Sequence, residues 1–207
     1  RDGAWSVQAS TGVGDVSYTL GIAGRHNVRN SLAAVACALA AGAPLEAVRA
    51  GREAFQPVKG RSRALRIIQG GRTIAVVDDT YNANPDSVRA AIDVLAELPS
   101  PRLLVLGDMG EVGEQGPLFH AEAGAHASES GVEQVFTLGE LSGHVGSRFA
   151  GARHFVDMSA LIAEVLSALP VVGSIVIKGS RFMCMERVVD AITQHVQAQQ
   201  EGSVHAS

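Results

Sequence analysis

The sequence predicts an α/β protein built on a mainly parallel β-sheet with helices on both faces. Three observations carry that expectation. The apolar runs at 103–106, 135–138 and 174–177 show no polar alternation, as strands buried on both faces do. Between them lie stretches whose apolar residues recur at spacings of three and four, the period of an amphipathic helix. No repeat of fixed period and no low-complexity tract interrupts the alternation.

Taken in order, residues 4–21 read as strand, turn, strand. Trp5, Val7, Val16, Tyr18 and Leu20 alternate with polar residues around the turn-rich Ser10-Thr11-Gly12-Val13-Gly14-Asp15. From Asn27, a candidate cap, Leu32, Val35, Ala36, Leu39 and Ala40 trace a helix that ends at Gly42. A short helix over 45–54 follows Pro44. Pro57-Val58-Lys59-Gly60-Arg61 then breaks the pattern and marks a domain boundary, separating 1–60 from 61–200, with 201–207 as a tail. Strands over 64–69 and 73–77 flank Gly70-Gly71, a hairpin signal. Asn84, Pro85 and Asp86 supply an N-cap, a first-turn proline and a first-turn acid, and Val88, Ala91, Ile92 and Leu95 form the apolar stripe behind them. The remainder alternates: strand 103–106, helix 118–127, strand 135–138, helix 141–149, a short strand near 154–156, helix 159–169, strand 174–177 and helix 183–196. The polar stretch from Gln197 is expected to fray. Residues 61–200 are thus Rossmann-like in the broad sense.

Composition narrows the function. Of 207 residues 46% are hydrophobic and 18% charged, which suits a packed globular protein rather than a disordered one. A net charge of −4 and 4% aromatics give neither the electrostatic footprint nor the stacking platform of a nucleic-acid binder. No apolar run approaches the roughly 20 residues that span a bilayer, and the opening ten residues are polar and mixed. No membrane insertion and a cytoplasmic location are expected. Cys37 and Cys184 lie far apart in apolar helical contexts and read as buried small hydrophobes. Lys59 and Lys178 are the only lysines, and neither stands in G-x-x-x-x-G-K-[ST], so the chain holds no P-loop. It opens on Arg in mid-pattern, as a piece of a longer protein would.

In an open parallel sheet, ligands bind beyond the carboxyl ends of the strands. Three strands here run into Asp78-Asp79-Thr80-Tyr81-Asn82-Ala83-Asn84-Pro85, Gly107-Asp108-Met109-Gly110-Glu111-Val112-Gly113 and Lys178-Gly179-Ser180-Arg181. Acids and bases would meet at that rim. Asp78 and Asp79 serve either a ligand or simply the end of a strand. Asp108 with Glu111 and Glu114 reads as a solvated acidic loop in preference to a metal site. Lys178-Gly179-Ser180-Arg181 is an anion cradle or an ordinary basic loop. Gly107, Gly110 and Gly113 do not have the dinucleotide spacing, and His120 and His126 read as surface residues. Asn30 lies one turn into its helix, where capping does not explain it; its amide offers the donor and acceptor that an adenine edge requires.

Together, Gly24-x-His26-Asn27-x-x-Asn30-x-Leu32-Ala33-Ala34, Gly60-Arg61, Asp79-x-Tyr81-Asn82-Ala83-Asn84-Pro85, Leu106-Gly107-Asp108-Met109-Gly110-Glu111-Val112-Gly113 and Lys178-Gly179-Ser180-Arg181 with Met185-Glu186 resemble the Mur ligase superfamily. The order and spacing hold from about residue 21 to 192. The agreement narrows to the branch that adds D-alanyl-D-alanine to UDP-N-acetylmuramoyl-tripeptide in peptidoglycan synthesis. The resemblance implies three domains, of which 1–60 would end the central ATPase domain and 61–200 would be the Rossmann-like C-terminal domain. It implies ATP and Mg2+, with the metal ligands mostly upstream and none assigned here, and a monomer. Asn30 would then hydrogen-bond adenine, Asp79 the ribose hydroxyls, and Arg61 the terminal phosphate on domain closure. Lys178, Ser180 and Arg181 would meet the dipeptide or the acyl phosphate, and Tyr81, Asn82 and Asn84 would shape the dipeptide pocket. His26 matches without a catalytic role. Such a fragment would be inactive alone. The alternatives are a sister ligase adding a diamino acid, a more distant folylpolyglutamate synthetase, or a non-catalytic Rossmann-like binding module. A nicotinamide oxidoreductase lacks its glycine fingerprint here.

Overall fold

The computed structural model describes residues 5–204. Strands β1 (Trp5–Thr11) and β2 (Gly14–Leu20) pair antiparallel, with Trp5 opposite Leu20. Their inward residues Val7, Val16, Tyr18 and Leu20 pack on Val35 of α1 (Arg25–Ala40) and Val48 of α2 (Leu45–Glu53), a small core of its own. Residue 4, the expected start of the first strand, lies outside the described residues.

The larger unit is a six-stranded sheet. It contains β3 (Arg63–Gln69), β4 (Arg72–Asp79), β5 (Arg102–Gly107), β6 (Gln134–Leu138), β7 (Arg153–Phe155) and β8 (Ser174–Lys178) in the spatial order β3-β4-β8-β5-β6-β7. Only β3 is antiparallel, joined to β4 through Gly70-Gly71, both at positive φ as the tight turn requires. The apolar strands bury both faces because helices cover both. Leu103, Val105, Ile175 and Ile177 face α5 (Met158–Ala168) and α6 (Glu186–Val204), meeting Leu161, Val165, Val188 and Ile192. Leu104, Leu106 and Val176 face α3 (Pro85–Ala96) and α4 (Gly116–Glu129), meeting Ile92, Leu95 and Ala127. The expected N-cap at α3 is present and is completed into a capping box by Ser87: Asn84 Oδ1 accepts from Ser87 N–H at 2.8 Å, and Asn84 N–H donates to Ser87 Oγ at 3.0 Å.

Several expectations are corrected. Helix α1 starts at Arg25, with Gly24 (φ 94°) as its N-cap, so Asn27 is no cap; its Nδ2 donates to Ala23 O at 2.6 Å. Cys37 and Cys184 are both exposed. Cys37 is two residues from the inward Val35, which carries it about 200° round the helix, and Cys184 sits in a loop at φ 50°. The expected helix over 141–149 is a 3₁₀ segment, Ser142–Ser147, which contains the helix-weakening Gly143 and Gly146. Helix α6 does not fray at Gln197 but runs on to Val204, through a stretch of good helix formers with no Gly before 202. Residues 205–207 of the expected tail lie outside the described residues.

Leu161 is fully buried against the sheet. Leu161→Ala is expected to lower unfolding stability by about 2–5 kcal/mol, the range for a core Leu truncation, measured by urea denaturation.

Candidate functional site

A cleft of about 660 Å³ opens beyond the carboxyl ends of β4 and β8. Four separated stretches line it: Ile22 to Asn30 at the start of α1, Gly60-Arg61-Ser62 before β3, Asp79 to Ala90 from β4 into α3, and Lys178 at the end of β8. The parallel ladder sets Asp79 directly beside Lys178. Lys178 Nζ donates to Asp79 Oδ2 at 2.5 Å and to Asn82 O at 2.8 Å. Its side chain is 3% exposed and that of Asp79 17%, so the pair forms a largely buried part of the cleft floor.

The antiparallel register of β3 with β4 pairs Arg63 with Asp78. Carried one step further, it puts Ser62 beside Asp79, and carried three steps, Gly60 beside Tyr81. The contacts follow: Tyr81 N–H donates to Gly60 O at 2.9 Å, and Ser62 donates to Asp79 Oδ1 through N–H at 2.9 Å and Oγ at 3.1 Å. Asp78, 0% exposed, accepts from Gly60 N–H at 3.0 Å and from the Thr80 hydroxyl at 2.7 Å. Arg61, held between these ties, lays its guanidinium over the Tyr81 ring, 3.9 Å from the centroid. This is cation–π range.

Of the residues singled out from the sequence, Asn30, Arg61, Asp79, Tyr81, Asn82, Asn84 and Lys178 line this one cleft. Asn30 is exposed on its wall, with Nδ2 3.4 Å from Asn27 Oδ1. Asn84 commits its side-chain oxygen to the α3 cap, and Asn82 commits its own to Ala83 N–H at 2.9 Å. Ser180 and Arg181 do not line it. Ser180 is buried and donates N–H and Oγ to Asp108 O, at 3.0 and 2.7 Å, while Arg181 pairs with Glu186 at 3.0 Å on the surface. The Lys178–Arg181 loop therefore forms no joint anion cradle in this conformation: its first cation is tied to Asp79 and its second to Glu186.

The adjacent loops rest on two groups read differently from the sequence. Asp108 is no solvated acid: it is 6% exposed, and its carboxylate accepts from the N–H groups of Glu140, Leu141 and Ser142 at 2.9, 3.1 and 2.7 Å. Among the described residues no group of three or more His, Cys, Asp or Glu is placed to hold a metal ion. His120 is no surface residue: it is 0% exposed, Nε2 accepts from Met109 N–H at 3.0 Å, and Nδ1 lies 2.7 Å from Gly116 O. That pattern requires the proton on Nδ1. Burial, partly offset by the Gly116 carbonyl, pushes the imidazole below its ordinary pKa. His126, also read as a surface residue, is half-buried and bonds Asp93 at 2.7 Å. Sequence reasoning assigned no role to Ser62 or Thr80 and left Asp78 undecided.

A parallel sheet with a charged cleft beyond its carboxyl ends is the architecture of ligand-binding α/β domains. The chain belongs to the Mur ligase family: the profile of the Mur ligase, glutamate ligase domain matches residues 60–202. It is similar to the UDP-N-acetylmuramoyl-tripeptide–D-alanyl-D-alanine ligase of Escherichia coli (strain K12), at 39% identity over 187 residues, covering 89% of this chain and 41% of that protein. Among solved structures, MurF from Acinetobacter baumannii superposes with a TM-score of 0.81 at 30% identity, covering 93% of this chain and 43% of that one. MurF from Thermotoga maritima, solved in complex with ADP, shares the fold at a TM-score of 0.79 and 20% identity, over 96% of this chain and 45% of that one. The chain spans about 41% of the length of the Escherichia coli relative.

Two outcomes are expected from these contacts. Lys178→Met leaves Asp79 without its buried partner and is expected to cost about 3–5 kcal/mol of stability; adding Asp79→Asn recovers part of that loss in urea titrations. His120 takes up a proton more readily unfolded than folded, so its contribution is complete above about pH 6.5 and is lost as pH falls below that value. Unfolding free energy is expected to drop between pH 7 and pH 5, by at most about 1.4 kcal/mol per pH unit from this group. His120→Gln is expected to flatten that segment of the curve.

Proposed function

We propose that this chain is the acceptor-side portion of an ATP-dependent amide-bond ligase that joins D-alanyl-D-alanine to UDP-N-acetylmuramoyl-tripeptide. In this reading 61–200 form the C-terminal domain, 1–60 end the central ATPase domain, and the enzyme works in the cytoplasm as a monomer. The observation that carries it is the convergence of Asn30, Arg61, Asp79 and Lys178 on one cleft from four separate stretches of chain. The relatives of that name, at 39% and 38% identity, support the choice of acceptor. No helix among the described residues is long and apolar enough to cross a membrane.

A carboxylate is a poor acyl electrophile because its oxygen is a poor leaving group. In the proposed reaction the tripeptide carboxylate attacks the γ-phosphorus of ATP, ADP leaves, and an acyl phosphate results. The free amine of the dipeptide then attacks the acyl carbon; the C–N bond forms, the C–O bond to phosphate breaks, and the amine gives up a proton. Arg61 stabilises the charge on the transferring phosphoryl group, a task suited to a planar guanidinium. Asn30 offers its amide to adenine. Asp79 has about four acceptor positions, and with three donors already on it one position remains for a ribose hydroxyl. Lys178 has three donors; Asp79 and Asn82 take two, and the third is assigned to the acyl phosphate or the dipeptide carboxylate. Tyr81, Asn82 and Asn84 shape the wall against the dipeptide. Arg181 and the Ser180 backbone reach substrate only if the loop leaves its present contacts. Mg2+ accompanies ATP in this chemistry, with its protein ligands assigned mostly to the part of the ligase upstream of this chain.

The test is phosphate release by the full-length ligase carrying this segment, with ATP, Mg2+ and UDP-N-acetylmuramoyl-tripeptide. Release with D-alanyl-D-alanine, and none with D-glutamate, L-lysine or diaminopimelate, is expected. Release with a single amino acid instead would overturn the acceptor assignment. Arg61→Ala is expected to lower turnover about tenfold or more, the scale of one lost transition-state contact.

A further inference from the structure

Arg61 is exposed, yet the backbone on either side of it is tied down. We propose that Asp78, a residue with no contact to the cleft, is the positioning residue that sets Arg61 for catalysis. The inference rests on the reading of Arg61 given under Proposed function.

Asp78 ends the buried part of β4, and its two carboxylate oxygens hold the chain at two points. Oδ2 accepts from Gly60 N–H and Oδ1 from the Thr80 hydroxyl. Charge-assisted bonds of this kind are roughly twice as strong as neutral ones, and a buried one shares little with water. Gly60 stands at φ 81°, and a Cβ there would come within 3.1 Å of Tyr81 N and 3.2 Å of Thr80 Oγ1. The turn is therefore pressed against the strand end, and the Tyr81 N–H to Gly60 O bond closes it. Across the turn, Asp79 holds Ser62, which itself stands at φ 48°. Neighbouring carboxylates thus clip the residues before and after Arg61. The Tyr81 ring that the guanidinium lies on belongs to the same clip. Removing the Asp78 carboxylate frees Gly60 and with it the spacing between the Arg61 backbone and Tyr81, while every atom of Arg61 remains. A displacement of about 1 Å in a charge-stabilising group is enough to cost up to about a hundredfold in rate.

The experiment is a double-mutant cycle in the full-length ligase on Asp78→Ala and Arg61→Ala, read as turnover and KM for ATP and dipeptide, with thermal midpoints beside them. Asp78→Ala is expected to lower turnover about tenfold in the wild-type background. In the Arg61→Ala background it is expected to lower it by less than about twofold, because coupled residues are non-additive. The fall in thermal midpoint should be the same in both backgrounds. Asp78→Asn, which keeps an oxygen for Gly60 N–H, should restore most of the turnover. Equal rate losses in the two backgrounds would overturn the proposal and leave Asp78 a structural residue. An Arg61→Ala enzyme as active as wild type would overturn the role of Arg61 itself, and the proposal with it. If Asp78→Ala does not fold, Gly60→Ala shifts the same turn without removing the carboxylate, and the same non-additivity with Arg61→Ala is required. A readout that needs no activity is tryptic cleavage of the 207-residue chain after Arg61. It should be slow in wild type and faster in Asp78→Ala, with cleavage after Arg25 and Arg49 unchanged; equal rates after Arg61 would overturn the clip.

Discussion

The cleft depends on one ion pair between neighbouring strand ends, Lys178 to Asp79. Lys178 is the last residue of a strand otherwise made of buried Ser174, Ile175, Val176 and Ile177, so its ammonium has little contact with water. A buried ammonium is tolerated only when its charge and its donors are answered. The carboxylate of Asp79 and the carbonyl of Asn82 answer them, which fixes both the end of β4 and the first turn of the loop that follows. The same carboxylate takes two bonds from Ser62, so the charge balance of the sheet interior also sets the chain on the other side of the cleft. Interior electrostatics and site geometry are here one constraint.

The second loop cluster is built on the same economy of buried acceptors. Asp108 sends its side chain to three N–H groups at 140–142 and its carbonyl to Ser180, so the ends of β5, β6 and β8 are joined through one residue. His120 adds α4 to the cluster by accepting from Met109 N–H. The carboxylate of Asp108 and the ring of His120 are both partnered, as low-dielectric surroundings demand, while Ser142 Oγ is buried without a hydrogen-bond partner. The rim is stiff beneath and polar above, an arrangement suited to holding charged groups apart from solvent until they meet.

Much of this was legible in the sequence. The uninterrupted apolar runs told of strands covered on both faces, Gly70-Gly71 of the hairpin, and Asn84-Pro85-Asp86 of the start of α3, because in each case the cause is local. Of the short segments that carry the family resemblance, those at 24–34, 60–61 and 79–85 also supply walls of the cleft, while 106–113 does not. His120 shows where local reading stopped. It shares a stripe with Ala123, Gly124 and Ala127, a spacing that does carry the inward face, but small residues give a weak periodic signal and a histidine was read as outward. For Asp108 no local signal existed, since its partners lie 32 to 34 residues away. At Asn27 the structure differs because Gly24, at positive φ, caps the helix three residues earlier than the polar candidate.

The strand order carries one more consequence. Strand β8 is the last of the eight in the chain, yet it lies between β4 and β5 at the middle of the sheet. A ribosome delivers the chain from its amino end, so β4 and β5 leave the exit tunnel with no shared neighbour and wait for some 70 further residues. Asp79 likewise waits 99 residues for its lysine. During that interval the nascent segment holds two apolar strand edges and an unanswered carboxylate. The sheet, the cleft and the charge balance all close together on the arrival of a single short strand, and a chain cut just ahead of Ser174 would never reach that point.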